Sequence, residues 1–339
     1  MRVLITGGAG FIGSHFTKLI VRSYKDYNVT VLDKLTYRGN LDNLKEIDSL
    51  PNYRFMKGDI CVKEDVLSAV GNADVIVNFA AETFVDRSIM DATDFLKTDI
   101  FGVYNLLEAI KGTDKLLIHI STDEVYGSLS DGFADENYPL RPGNPYSASK
   151  ASSDLLILSY ANTYKINYII IRPSNNFGPN QYPENLIPLF ITNAIEGKPL
   201  PIYGDGLYMR DWIYVEDAVR AIDLIMHKGK VGEIYNVGGG NIRTNLEITN
   251  MIVKLTDSPL ELKVFVEDRP GHDRRYALNS KKIEEVGFYR EYDFESAMIM
   301  TVEWYRENED WWRPIKSGKF LEYYRKQYGE RLSNLGFQV

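Results

Sequence analysis

Six short apolar runs, separated by segments of helical spacing, do most to restrict what this chain can fold into. They cover residues 3–6, 29–32, 53–56, 75–79, 116–120 and 168–171, with helix-period segments such as 12–21 and 98–110 between most of them. Strands that are apolar on both faces and alternate with helices indicate a parallel sheet covered on both sides. The expected class is α/β, a doubly wound Rossmann-type parallel sheet. After Arg172 the pattern gives way to loops rich in Pro, Asn and Tyr, with one strand-like return at 234–237. Such a shift suggests a smaller mixed α/β lobe over the C-terminal edge of the sheet, where open α/β folds bind ligands.

Composition removes several classes of function. The formal net charge is −8 and the pI about 5.2, with no basic stripe to neutralise a phosphate backbone, so nucleic acid is not an expected partner. A single cysteine, Cys61, excludes an intramolecular disulfide framework and supplies no ligand set for a metal. The chain opens directly on Arg2-Val-Leu-Ile-Thr6 and contains no run of about 18 apolar residues. These features point to a cytoplasmic protein that makes no use of a membrane.

Directly after the first apolar run comes Thr6-Gly-Gly-Ala-Gly-Phe-Ile-Gly13. Gly8, Gly10 and Gly13 fit G-x-G-x-x-G, which combines a tight turn, close approach of backbone to a pyrophosphate and close helix-to-strand packing. Asp33 ends the second run twenty residues later. A carboxylate there accepts from both ribose hydroxyls and repels a 2′-phosphate, which favours NAD over NADP. Asp59, in Gly58-Asp59-Ile60, is placed to bond an adenine amino group or to cap a helix.

Tyr146-Ser-Ala-Ser-Lys150 places a phenol and an ammonium on one helix face. Lowering a tyrosine pKa from ~10 to neutrality takes roughly 3 units, about 4 kcal/mol. One cation at about 4 Å in an effective dielectric of about 20 supplies that amount.

With Gly7, Gly10 and Gly13, this pair resembles the extended short-chain dehydrogenase/reductase superfamily, whose Ser/Thr catalytic position falls on Thr122. The stretches Asp33-Lys-Leu-Thr-Tyr-x-Gly-Asn-Leu41, Val85-Asp-Arg-Ser-Ile89, Ser121-Thr-Asp-Glu-Val-Tyr-Gly127, Tyr203-Gly-Asp-Gly206 and Asp268-Arg-Pro-Gly-His-Asp-Arg-Arg-Tyr276 further resemble the dTDP-glucose 4,6-dehydratases. The resemblance covers nearly the whole chain and implies tightly bound NAD. It also implies oxidation at C4 of a glucosyl ring by Tyr146 and Thr122, with Lys150 beside them, then C5/C6 elimination with Glu124 as base and Asp123 as acid. The hydride returns to C6. Cofactor positions carried over are Gly7, Gly10, Phe11, Ile12, Gly13, Asp33, Lys34, Leu35, Thr36, Asp59, Ile60, Phe79, Ala80, Ala81, Thr98, Tyr146, Lys150 and Asn176. Substrate positions are Thr83, Thr122, Asn175, Asn185, Leu186, Pro201, Ile202, Tyr203, Arg210, Asn245, Arg269 and His272, with Tyr203 facing the base and the arginines suited to the diphosphate. The implied partner is a nucleotide sugar, dTDP-glucose, and the implied assembly a homodimer pairing through helices near 98–111 and 146–164. The implied division is residues 1–172 plus 211–238 for NAD and 173–210 plus 239–339 for the sugar nucleotide.

On a regular strand, residues 123 and 124 point to opposite faces, so both reach one sugar ring only if the chain leaves strand geometry at or just before Asp123. A turn is expected there. Two stretches depart from the family pattern. Where the family reads Ala-Ala-Glu-Ser-His-Val-Asp-Arg, this chain has Thr83 and Phe84; where it reads Pro-Glu-Lys-Leu, this chain has the uncharged Asn185. Both departures bear on which sugar nucleotide fits. His15 is expected in packing or at the surface, His119 as a satisfied core histidine, His227 at a Lys-rich helix end and Cys61 buried and inert. The acidic-aromatic stretch 307–312 is expected to be surface packing. The alternatives are another NAD-dependent sugar-nucleotide enzyme, such as a UDP- or CDP-sugar 4,6-dehydratase or a 4-epimerase, and a catalytically silent nucleotide-sugar binder.

Overall fold

Leu4 and Ile5, Val31 and Leu32, Ile76 and Val77, and Leu117 and Ile118 are adjacent pairs, and all eight side chains are buried. A strand permits that only where both its faces are covered. In the computed structural model, which describes residues 1–337, the strands in chain order are β1 (Arg2–Thr6), β2 (Asn28–Asp33), β3 (Tyr53–Lys57), β4 (Val75–Asn78), β5 (Leu116–Ile120), β6 (Asn167–Pro173), β7 (Asn175–Phe177), β8 (Leu200–Tyr203), β9 (Met209–Tyr214), β10 (Ile234–Val237), β11 (Ile242–Thr244) and β12 (Lys263–Val266). Seven of them form one parallel sheet in the order β10-β6-β5-β4-β1-β2-β3. Val3 and Ile5 pack into the core on one face, and Leu4 into the core on the other.

The fold is thus the expected Rossmann-type α/β sheet. The order reverses between β1 and β4, and such a switch point opens a crevice at the C-terminal strand ends. Helix α1 (Phe11–Ser23) leaves β1 through the glycine turn. Helix α2 (Val103–Ile110) continues a π-helical segment, Leu96–Gly102. Helix α3 (Pro145–Tyr164) starts with Pro145 in its first turn and a capping box between Asn144 and Ser147, and stops at Lys165 in a left-handed conformation. Along α3, Ser147, Ser149, Lys150, Ser153 and Asp154 are buried. Small hydroxyl side chains let the π-helical segment approach closely: Ser149 Oγ donates to Asp99 Oδ2 at 2.6 Å and Ser153 Oγ to the Asp99 carbonyl at 2.5 Å.

The remaining strands build a three-stranded sheet, β11-β9-β7, and a two-stranded one, β12-β8. β9 crosses residue 211, where the division implied by the sequence returns to the NAD domain; that division remains a proposal, and residues 338 and 339 lie outside the described residues. One expectation is corrected here. Within 307–312, Glu307 and Asp310 are at the surface, but the tryptophans are not surface packing: Trp312 is fully buried with its Nε1 donating to the Tyr305 carbonyl at 2.7 Å, and Trp311 reaches across to Asn43 Oδ1 at 3.0 Å. Burying an indole removes more apolar area than any aliphatic side chain, which outweighs the acidic neighbours that suggested exposure.

Candidate active site

At the switch point lies a cleft of about 570 Å³, within the usual range for ligand sites. Every site residue expected from the sequence lines it except Leu35. Leu35 has φ 57°, its N–H is held by Asp33 Oδ1 at 2.8 Å, and its side chain packs on the core instead.

The β1 end is shaped for a dinucleotide. Gly7 has φ 69°, and a Cβ there would stand 2.6 Å from Ala80 N; a Cβ on Gly13 would stand 2.4 Å from the Gly7 carbonyl oxygen. Only glycines allow that helix start to lie against the strand ends. The N-cap, Gly10, offers no side chain, and the first turn of α1 carries no acid. Its N–H groups and the positive helix end therefore remain available to an anion. Asp33 Oδ2 also accepts from Ala9 N at 3.0 Å, so the carboxylate pins the glycine loop. Asp59 is no helix cap: its Oδ1 accepts from Cys61 N at 2.9 Å, its Oδ2 lies 3.5 Å from Lys34 Nζ, and the helix Lys63–Val70 is capped by Val62.

Several buried polar atoms on the cleft lack any protein partner: Ser121 Oγ, Asp123 Oδ2, Asn175 Oδ1, Asn176 Oδ1 and Arg269 Nε. Buried polar atoms are ordinarily satisfied, so this row fits a polar ligand that completes them. NAD and a nucleotide sugar both match the residues present.

Just beyond β5, Thr122 is still extended and Asp123–Tyr126 winds into a 3₁₀ turn, as the facing requirement demanded. Thr122 Oγ1 accepts from Glu124 N at 3.3 Å and donates to Asp123 Oδ1 at 3.2 Å. Beneath the turn, Tyr126 OH donates to Asn236 Oδ1 at 2.8 Å and accepts from Arg172 Nη1 at 2.8 Å, while Arg172 Nε donates to Asp154 Oδ2 at 2.9 Å. Burial, then the Glu124 charge, pushes the Asp123 carboxyl well above the usual carboxylate range. Burial also leaves Glu124 raised, but Arg210 and Arg269 oppose that rise, whereas Asp123 is pushed well above its range. The pair is therefore electrostatically unequal, with the proton favoured on Asp123.

The Tyr146–Lys150 arithmetic requires correction. Lys150 Nζ donates to the Ile120 carbonyl at 2.8 Å, and burial lowers its pKa. Burial, Glu124 and Asp99 hold the Tyr146 phenol well above its ordinary value, and only the Thr122 hydroxyl opposes them. The protein's own charges thus keep the phenol protonated, and the lysine alone does not offset them.

At the far end, Tyr203 OH and Tyr323 OH both donate to Asp86 Oδ2 at 2.9 Å, and Arg269 pairs with Asp86 Oδ1. Tyr276 OH has a single proton between two carboxylates, Asp273 Oδ2 at 2.6 Å, which takes the stronger bond, and Glu124 Oε2 at 3.3 Å. Asp86, Tyr276 and Arg38 were missed as site residues. Asp86 and Tyr276 lay inside stretches already noted for their resemblance, which was the available signal; Arg38 fell on the one unmatched position of its stretch, so nothing in the sequence marked it.

The bland histidines divide. His15 bonds Glu216 at 2.7 Å and the Pro179 carbonyl at 3.0 Å. His119 is buried but only half satisfied: Nδ1 meets Asn78 Nδ2 at 3.0 Å, and Nε2 makes no hydrogen bond, with Asp154 Oδ1 3.9 Å away. His272 pairs with Asp268 at 2.7 Å, and burial with nearby Arg269 pushes it down to about 3, so it is neutral. His227 closes the helix Val215–Lys228. Cys61 is only half-buried, and burial raises its thiol to about 11, which keeps it inert.

Residues 4–301 match the family model described as GDP-mannose 4,6 dehydratase. The chain is similar to a dTDP-glucose 4,6-dehydratase of Streptomyces niveus, 48% identical over 324 residues that cover 94% of this chain and 96% of that one. Among solved structures it resembles DesIV, a dTDP-glucose 4,6-dehydratase from Streptomyces venezuelae with NAD and TYD bound, at TM-score 0.91 and 45% identity over 93% of this chain and 100% of that one. A UDP-glucose 4-epimerase from Thermotoga maritima with UDP-glucose superposes at TM-score 0.84 but is 30% identical, over 91% of this chain and 100% of that one.

Replacing Asp123 with Asn removes an acid whose charged form the fold disfavours. Because the folded carboxyl titrates above its unfolded value, the native state keeps a proton that the unfolded chain releases from about pH 4 upward, and wild-type stability falls with pH through that window. Asparagine has nothing to titrate. In thermal melts, Asp123→Asn is expected to gain on wild type by a margin that widens from acid to neutral pH. A margin that stays flat or narrows contradicts the raised carboxyl.

Proposed function

The chain belongs to the nucleotide-sugar 4,6-dehydratase family, within the dTDP-glucose 4,6-dehydratases, and from that premise we propose how its own residues carry the reaction. It is an NAD-dependent lyase that removes water from dTDP-glucose to give dTDP-4-keto-6-deoxy-glucose. The single observation that carries the mechanism is the pair of unequal carboxylates on the 3₁₀ turn after β5.

NAD, when bound, accepts a hydride from C4 and returns it at C6. The glycine turn, Asp33 and the Asn176 amide would hold it. Tyr146 manages the proton of the C4 hydroxyl, with the Thr122 hydroxyl bonded to the same oxygen and Lys150 nearby. Once C4 is a carbonyl, the neighbouring C5–H is acidic. Glu124 takes that proton, and Asp123, holding its own, gives it to the C6 hydroxyl as it leaves as water. The C5–H and C6–O bonds break and a C5–C6 double bond forms; as the hydride is returned at C6, Glu124 gives its proton back to C5, which completes the 4-keto-6-deoxy product. A 4-epimerase needs no such acid–base pair, and a silent binder would have no use for it. The Asp86 cluster fixes Tyr203 and Arg269 for the nucleotide and its diphosphate, and the Tyr276 hydroxyl lies beside Glu124.

We propose a homodimer, and the helices beside the site support that reading. Phe101 is 63% exposed, Leu155 57% and Tyr104 43%, an apolar set on the π-helical segment, α2 and α3. A second copy related by a two-fold axis covers both helices and gives a four-helix seam. A cytoplasmic setting is part of the same reading, and no helix among the described residues is long and apolar enough to cross a membrane.

Purified protein with NAD is expected to convert dTDP-glucose to the 4-keto-6-deoxy product at least about tenfold more efficiently than UDP- or CDP-glucose, a discrimination of about 1.4 kcal/mol; no product from dTDP-glucose would defeat the assignment. In deuterated water, Glu124→Gln is expected to lose exchange at C5, and an undiminished rate removes Glu124 from the base role. Sedimentation is expected to show a dimer that Phe101→Glu with Leu155→Glu converts to monomer. A dimer that survives both charges is built through another face.

A further inference from the structure

Phe84 and Asn185, one in each stretch that departs from the family pattern, lie about a hundred positions apart and touch the same side chain, Arg38. The Arg38 guanidinium carbon sits 5.2 Å from the Phe84 ring centroid and 5.3 Å from that of Tyr182. Phe84 has φ 96°, a left-handed conformation that a bulky residue keeps only where its surroundings hold it. Its ring is braced edge-on against Tyr323 at 5.4 Å.

An arginine has five N–H donors and no acceptor. Nε donates to Tyr37 OH at 3.0 Å and Nη2 to Glu184 Oε2 at 3.1 Å. Nη1 donates to Thr83 Oγ1 at 3.0 Å and to Asn185 Oδ1 at 3.2 Å. Those two oxygens must therefore be acceptors, whichever way an isolated amide would turn. The Thr83 O–H and the Asn185 NH₂ are left as donors, and both residues line the cleft. Glu184 is fully buried and shared by Arg38 and Arg87, so two cations face that one carboxylate.

We propose that Arg38 is a positioning and specificity residue of the substrate site: it sets Thr83 and Asn185 as a donor pair for an oxygen of the substrate diphosphate and brings to that corner the positive charge that Asn185 lacks. This assignment rests on the dTDP-glucose reading. A diphosphate oxygen is an acceptor only and carries negative charge, so an all-donor corner backed by a cation is complementary to it. The charge comes from the turn after β2, the same turn that begins with Asp33 at the cofactor end. Cofactor and substrate ends of the cleft are thereby tied through six residues of chain.

Steady-state kinetics of the NAD-loaded protein with dTDP-glucose test the assignment, on Arg38→Ala, Arg38→Gln and the double variant Arg38→Ala with Asn185→Lys. Arg38→Ala is expected to raise KM about tenfold while kcat falls less than about threefold, the loss of roughly one charge-assisted hydrogen bond. Arg38→Gln, which fills much of the space and keeps an amide donor, raises KM less and keeps the test open if the alanine variant does not fold. The added lysine in the double variant is expected to recover most of the lost affinity. A wild type that turns over dTDP-glucose and variants with unchanged KM overturn the Arg38 assignment alone, as does a double variant no better than Arg38→Ala. A wild type that does not turn it over overturns the functional reading instead.

Discussion

The buried pair of Asp154 and Arg172 is the interaction on which the rest of the site depends. It joins α3 to β6 with both side chains almost wholly removed from water, and Arg172 passes the connection on to Tyr126 and so to Asn236 on β10. Removing one partner would strand the other charge in the interior, the expensive failure of a buried pair. The 3₁₀ turn is thus clamped from below by three elements, α3, β6 and β10, and the side chains above it inherit that position. Thr122, Asp123 and Glu124 are held at the end of β5, while Tyr146 and Lys150 are held on the same helix as Asp154.

What the clamp makes possible is an inequality between neighbours. Two adjacent carboxylates in one environment would compete for a single proton without assigning it. Here the turn carries Asp123 inward, with one oxygen bonded to Thr122 and the other unpartnered, and leaves Glu124 under the fields of Arg210 and Arg269 with the Tyr276 hydroxyl beside it. Elimination of water needs one acid and one base within reach of adjacent carbons. The backbone at residues 122–124 supplies that difference, and the dinucleotide end of the cleft supplies the redox chemistry that makes C5 acidic.

The large sheet was legible because its strands are buried on both faces and therefore read as continuous apolar runs; all seven are found within one or two residues of where the pattern put them. The small sheets were not. β7 is Asn-Asn-Phe and β11 is Ile-Arg-Thr, three residues each, too short for any alternation to register. The glycine turn and the Tyr146–Lys150 pair carried their chemistry in local spacing. Arg38 could not be found that way, since a lone arginine in a loop looks like a surface ion pair until the fold brings residues 83–84 and 184–185 around it. Trp311 and Trp312 misled for the related reason that acidic neighbours in sequence need not be neighbours in burial. The Tyr146 arithmetic on the lysine alone fell short because it left out burial and could not know that Glu124 and Asp99 lie near the same phenol.

The protonation state of Asp123 is the central claim, and infrared difference spectroscopy between wild type and Asp123→Asn at neutral pH addresses it most directly. The account predicts that wild type shows the C=O stretch of a protonated carboxylic acid, shifted by deuterium exchange, which the variant lacks. Loss of only the symmetric and antisymmetric carboxylate bands in the variant would mean that Asp123 is ionised at rest, and would contradict its assignment as the acid that expels water.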